Sequence, residues 1–260
     1  MSFAETPAQR ALQEAAREAV AGIVVPEAAA LAPGARLGRD DLSRIYRALA
    51  PLGYLGSTIP VALGGAGLGY VDYGLLIEAL AAGPLMLDEI VPPRTIHYLG
   101  NEEQRRRWLP RLFSGEFVSA AAITEPQAGS DMRGFNCTAV LDGDAYVVNG
   151  RKRWIKLGSV SDLITLMVVD PAGGLSRLVV EAAVSPWKSA DIDAVGMRNL
   201  PLSELVFEDV RVPRENLLGE GGKGDEQFHR GIESSRAFIG IQAAGIAKHA
   251  LDIAIGYARE

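Results

Sequence analysis

Residues 121–131 read AAITEPQAGSD. A run of small and apolar residues ends at Thr124, Pro126 turns the chain, and Ala128, Gly129 and Ser130 offer backbone N–H groups beside a hydroxyl. A strand-to-loop junction of this kind can donate hydrogen bonds to a polar ring edge or an anion without carrying net charge. Further along, residues 150–156 read GRKRWIK, an indole behind a basic run. An aromatic plane beside a donor-rich loop suits a flat heteroaromatic cofactor. By residue type alone, though, Trp154 reads as core, Thr124 as a strand-end hydroxyl and Asp131 as a cap.

Outward from that junction the chain has three textures. Residues 117–123, 137–141, 145–149, 163–169, 176–181 and 204–212 are short runs rich in Val, Leu, Ile, Thr and aromatics, separated by turn signals at Asp142-Gly143, Asn149-Gly150 and residues 171–174. The runs flanking Asp142, Gly143 and Asp144 read as a β-hairpin. Before them, helix formers dominate: residues 8–21 with Thr6 as N-cap and Pro7 at the first helical position, then 40–52, 73–82 and 101–113. After Pro213 and a glycine cluster, residues 225–260 return to helix, with small residues suited to close packing and no capping signal at the end. Helices, then strands, then helix is segregated α+β and not alternating βαβ. The boundaries this suggests are a helical domain over 1–116, a β-domain over 117–224 and the first helix of a further helical bundle over 225–260. The glycine-rich run GGAGLG at 64–69 reads as a tight loop before a helix. A dinucleotide fingerprint would need a preceding strand and a βαβ repeat, and Pro60 interrupts the only extended segment before it.

Composition excludes several classes. The 260 residues carry a net charge of −6, with 48% hydrophobic and 22% charged residues, which is an ordinary globular balance. There is no basic stripe for nucleic acid. One cysteine, Cys137, allows no intramolecular disulfide, and three scattered histidines make no metal-ligand spacing. No uninterrupted apolar run approaches the ~18 residues of a membrane span, and MSFAETPAQR lacks the basic start and apolar stretch of a signal peptide. The expectation is a cytoplasmic protein with no nucleic acid, metal or membrane partner.

Taken in order along the chain, these segments resemble the acyl-CoA dehydrogenase family of flavoproteins. Residues 59–70 (IPVALGGAGLGY) are similar to that family's IP-x-x-x-GG-x-G loop, followed by a helix containing Glu78. GNEEQ at 100–104 with WLP at 108–110 and SG at 114–115 matches a second run. TEP with AGSD matches the family signature, as do NG and K-x-WI at 149–155, and LVFEDVRVP at 205–213 with Leu218-Gly219. Arg236 and Gly245 fall where the last domain's first helix carries its Arg and Gly. The resemblance implies a helical domain, a β-domain and a C-terminal four-helix bundle. It also implies α,β-dehydrogenation of an acyl thioester to the trans-2-enoyl thioester, with electrons passing to an electron-transferring flavoprotein. FAD contacts are implied at Ala121, Ala122, Ile123, Thr124, Ser130, Trp154, Ile155 and Lys156, with Thr124 bonding the ring edge and Trp154 lying against the ring. Substrate contacts are implied at Ser130, Glu233, Ser234, Ser235 and Arg236, and a homo-oligomer, dimer or tetramer, as the assembly.

Four features depart from the family pattern. The usual glutamate base lies in a part of the bundle beyond residue 260, and the alternative position, one residue before the Arg, is Ser235, whose hydroxyl is no base at neutral pH. Glu233 lies about 200° away on the helix, so no catalytic base is identified. The chain is expected to be a fragment of a longer enzyme or a subunit completing another chain's site. Lys156 stands where a small hydroxyl residue is usual: it either shifts the flavin toward oxygen reactivity or a more positive potential, or runs its stem along the ring and its ammonium to solvent. Residues 83–93 are shorter and richer in proline than usual, so acyl-length preference does not transfer. Asp225 replaces an aromatic. These departures suggest a specialised member, with dehydrogenation or oxidation of acyl groups on a carrier protein as the alternative reaction.

Overall fold

A computed structural model describes residues 4–87 and 90–260. The chain divides into two compact units: one of Met1–Glu89, Phe113–Gly115 and Glu233–Glu260, the other of Ile90–Leu112 and Glu116–Ile232.

The first unit is helical. Helix α1 (Pro7–Ala19) opens with a capping box: Thr6 Oγ1 accepts from the Gln9 N–H, and Gln9 Oε1 from the Thr6 N–H. It runs through one π-helical stretch, Val20–Val24, into the short α2 (Val25–Ala29), a continuation the periodicity did not predict. Helix α3 (Arg39–Leu49) buries Leu42, Ile45, Tyr46 and Leu49, ends in a 3-10 turn at Ala50–Leu52, and α4 (Tyr70–Leu80) packs against α1. Between them the 64–69 run is the tight loop expected: Gly64 and Gly67 take φ of +81° and +63°, and a Cβ on Gly65 would fall 2.2 Å from the Ile59 carbonyl oxygen.

The 233–258 part of the last helix, α7 (Gly224–Ala258), completes this unit. Phe238 is buried there, edge-on to Tyr73 and stacked on Tyr70. Ile239, Ile246, Leu251, Ile253 and Ile255 do form exposed apolar positions. By length and composition α7 passes as a membrane-spanning helix, which a search for uninterrupted apolar runs misses because Arg236, Lys248 and Asp252 interrupt it. Inside the unit, Lys248 pairs with Glu78 at 3.1 Å, and Gly245 lies so close to α4 that a Cβ would meet the Glu78 carbonyl oxygen at 2.7 Å.

The second unit is a sheet with helices α5 (Val91–Leu99) and α6 (Glu102–Phe113). Pro92 and Pro93 sit in the first turn of α5, where their missing N–H groups cost nothing; this is why a helix forms in a stretch that reads as helix-poor. Of the shortened 83–93 segment, residues 88–89 lie outside the described residues. Asn101 and Gln104 cap α6 reciprocally at 2.9 Å, and the Gln104 amide reaches the carbonyls of Glu215 and Leu217.

The strands are β1 (Ser119–Ala122), β2 (Thr138–Asp142), β3 (Ala145–Lys156), β4 (Leu163–Val169), β5 (Leu175–Glu181), β6 (Lys188–Asp191), β7 (Leu202–Pro213) and β8 (Leu217–Leu218). Their hydrogen-bonded order is β6-β7-β3-β2-β4-β5-β8, with β1 parallel on β4. The 142–144 hairpin is present, with Asp142 opposite Ala145 and Gly143 at φ +63°. Asn149-Gly150 is not a turn. Strand β3 runs straight through it as a bulge, because Asn149 finds a side-chain partner across the ladder, exchanging two bonds with Asp209 at 2.9 and 3.0 Å. One face of the sheet builds a core around Val148, Leu166, Leu178, Leu205 and Phe207; α5 packs on β1 and β4.

Candidate functional site

Strand β1 ends at Ala122, and the chain passes Ile123 and Thr124 into a turn closed by reciprocal Glu125–Ala128 backbone bonds of 2.8 and 3.2 Å. The Ala128 N–H is therefore engaged in the turn, and the donor-rich stretch read from the sequence narrows to Gly129 and Ser130. Ser130 is exposed. Asp131 caps the 3-10 turn Met132–Gly134 through the Arg133 N–H and pairs with the Arg133 guanidinium at 2.8 Å, as a cap reading requires.

Beneath this turn lies a buried ion pair. Glu125 is 3% exposed and Lys152 is fully buried; Lys152 Nζ lies 2.7 Å from Glu125 Oε1 and donates to the Ile123 carbonyl at 2.8 Å. The carboxylate also accepts from the Asn136 and Cys137 N–H groups and from the Gln127 amide. Burial pushes Glu125 up, but the Lys152 charge and these hydrogen bonds outweigh it and hold the carboxyl below its ordinary range. Burial pulls Lys152 down, opposed by Cys137 and Glu125, and burial pushes the Cys137 thiol up to about 11.

Two residues after Lys152, β3 loses register with β7 between Lys152 and Ile155. At that irregularity Trp154 adopts φ +63° and stands out of the sheet at 51% exposure, with the Arg153 guanidinium 4.9 Å from its ring centre. The core reading of Trp154 is thus overturned: the bulge expels a side chain that strict alternation would have buried. The Arg153 N–H donates to the Thr124 carbonyl at 2.8 Å, so the indole and the half-buried Thr124 hydroxyl come from two hydrogen-bonded segments. No described residue hydrogen-bonds that hydroxyl. Ala122 and Ile155 are buried; Ala121 and Ile123 are half-buried. Lys156 closes β3 opposite Leu202 and is half-buried, and burial pulls its ammonium down to about 7.

A planar ring with polar edges fits this donor set: an aromatic face, a hydroxyl beside it and a lysine at the strand end. Glu233, Ser234, Ser235 and Arg236 form a separate cluster on α7 in the first unit, with Glu233 and Arg236 exposed and both serines half-buried. Sequence reasoning quoted Glu125 and Lys152 as motif letters but gave them no role. Glu125 stands out as a charge in a segment otherwise small and apolar, whereas Lys152 is one of four basic residues in 150–156 and carries no signal of its own.

Residues 6–116 match the N-terminal domain model of acyl-CoA dehydrogenases and residues 120–210 the middle domain model. A solved structure of a probable acyl-CoA dehydrogenase from Mycobacterium abscessus superposes with a TM-score of 0.88 at 33% identity, covering 98% of this chain and 70% of that one. The chain belongs to the acyl-CoA dehydrogenase family. Among curated members, mitochondrial isovaleryl-CoA dehydrogenase of Pongo abelii is 34% identical over 84% of this chain and 54% of its own length. An acyl-CoA dehydrogenase of Bacillus anthracis complexed with FAD has a TM-score of 0.90 at 29% identity, over 98% of this chain and 45% of that one. The chain thus spans about half the length of the curated acyl-CoA dehydrogenases it matches.

Proposed function

We propose that this chain forms the flavin-binding part of an FAD-dependent acyl thioester dehydrogenase, converting an acyl-CoA to its trans-2-enoyl-CoA and passing electrons to an electron-transferring flavoprotein. The observation that carries this reading is the hydrogen-bonded pairing of the Thr124 turn with the bulge that exposes Trp154. Bound there, FAD supplies a two-electron acceptor for the β-hydrogen of the acyl chain as hydride. The α-hydrogen leaves as a proton to a carboxylate, and the two carbons keep the electron pair as the new double bond.

In this reading Trp154 walls the ring and Thr124 bonds its polar edge, while Ala121, Ala122, Ile123 and Ile155 shape the floor. Lys156 places its amine at the strand end. Ser130 is a substrate contact in this reading, and Glu233, Ser234, Ser235 and Arg236 on α7 are further substrate contacts. The exposed Ile239, Ile246, Leu251, Ile253 and Ile255 on α7 support an oligomer, or a second chain providing the rest of the bundle, that covers them.

The test is an absorbance spectrum of the purified chain followed by anaerobic addition of a panel of acyl-CoAs. Flavin bands that bleach with one thioester support the full reading and mean that the chain carries a base its sequence did not reveal. Yellow protein that no thioester bleaches supports flavin binding alone, as in a subunit completing another chain's site. A colourless chain after reconstitution with FAD defeats it.

A further inference from the structure

We propose that Lys152 and Glu125 are positioning residues that set the spacing between the Thr124 turn and the Trp154 bulge, so that both walls of the flavin site hang on one buried ammonium. This inference rests on the reading that FAD lies against Thr124 and Trp154. Lys152 Nζ bonds the Ile123 carbonyl at 2.8 Å and the Glu125 carboxylate at 2.7 Å, the two residues on either side of Thr124. The next residue, Arg153, donates its N–H to the Thr124 carbonyl at 2.8 Å. Three consecutive residues of the turn are therefore tied to two consecutive residues of β3, immediately before the indole. The ammonium also lies 4.5 Å from the Phe135 ring centre, which leaves it no solvent-facing side.

Stability alone does not account for such a pair. Removing two charges from water costs several kcal/mol per ion, and well-packed apolar replacements of a buried pair are often neutral or stabilising. Buried polar and charged groups fix register in some proteins where apolar side chains would tolerate sliding. Here the register at stake is between a turn that leaves the sheet and a strand that has just lost its alignment with β7.

The test compares the wild-type chain with Lys152→Met, Glu125→Gln and the double variant. Either single variant leaves a buried group unpaired and loses stability. The double variant leaves no lone charge and recovers most of that loss, so it remains usable if a single variant fails to fold. Positioning by the pair predicts that FAD affinity does not recover with stability: the folded double variant binds FAD about tenfold or more weakly, because the Thr124 turn and the Trp154 bulge are no longer held at one spacing. It also predicts faster hydrogen exchange at the Arg153 amide in the FAD-free double variant. Wild-type affinity together with wild-type Arg153 protection in that variant overturns the proposal. If the wild-type chain itself binds no FAD, the functional reading fails on its own and the Arg153 amide decides for or against the positioning role.

Discussion

Gly150 lies against Cys137 so closely that a Cβ at position 150 would fall 2.5 Å from the Cys137 Cα and 2.8 Å from its Cβ. The glycine also holds φ at +144°, a conformation L-residues rarely adopt. Cys137 donates its N–H to Glu125 at 3.0 Å, so strain at this contact bears on the carboxylate under the Thr124 turn. Gly150→Ala is expected to cost about 2–4 kcal/mol through overpacking and backbone strain. The check is the urea midpoint, with an unchanged m-value showing that a folded state was lost and not remodelled.

A second buried contact carries stability and no proposed chemistry. Trp108 is 1% exposed, and its Nε1–H donates to Glu181 Oε1 at 3.0 Å, an oxygen that also takes Arg107 at 2.6 Å. Trp108→Phe removes that donor and part of the packed ring system, for an expected loss of about 2–3 kcal/mol. Trp154→Phe, at an exposed position, should change stability by less than about 0.5 kcal/mol. Chemical denaturation of the two variants side by side reads the difference; equal losses would mean that Trp154 is packed more tightly than its 51% exposure allows.

Lys156 makes stability depend on pH with a defined sign. Burial lowers its pKa from an ordinary 10.5 to about 7. Between those values the unfolded chain binds the proton and the folded chain does not, so stability rises with pH. Below about 7 both states are protonated and the full cost of a buried ammonium is present. Wild-type thermal stability, measured relative to Lys156→Met, should therefore climb from pH 7 toward pH 10 and level off above it. A difference that stays flat across this range would show that Lys156 titrates at its ordinary value.

The fold was legible because its signals are local. Thr6, Pro7 and Gln9 cap α1 by side chains three residues apart, and Asp142-Gly143 closes its hairpin within four residues. The helix α5 was not legible, since its prolines are harmless only at a first-turn position that tertiary packing selects. Asn149-Gly150 misled for a similar reason: it carries every mark of a turn, and only Asp209, sixty positions away, converts it into a bulge. At the site, motif spacing brought out Thr124 and Trp154. Trp154's exposure depends on a backbone angle that composition does not encode, and Lys152 reads as one more basic residue until the Glu125 carboxylate is placed beneath it.

The phase slip in β3 has a further consequence. Side chains along a strand alternate between faces, so Lys152 and Trp154, two apart, would ordinarily share a side; the irregularity before Ile155 sends one inward and the other outward. Losing one residue between Lys152 and Ile155 would bring β3 back into continuous register with β7 and remove the local conformation that carries the exposed indole.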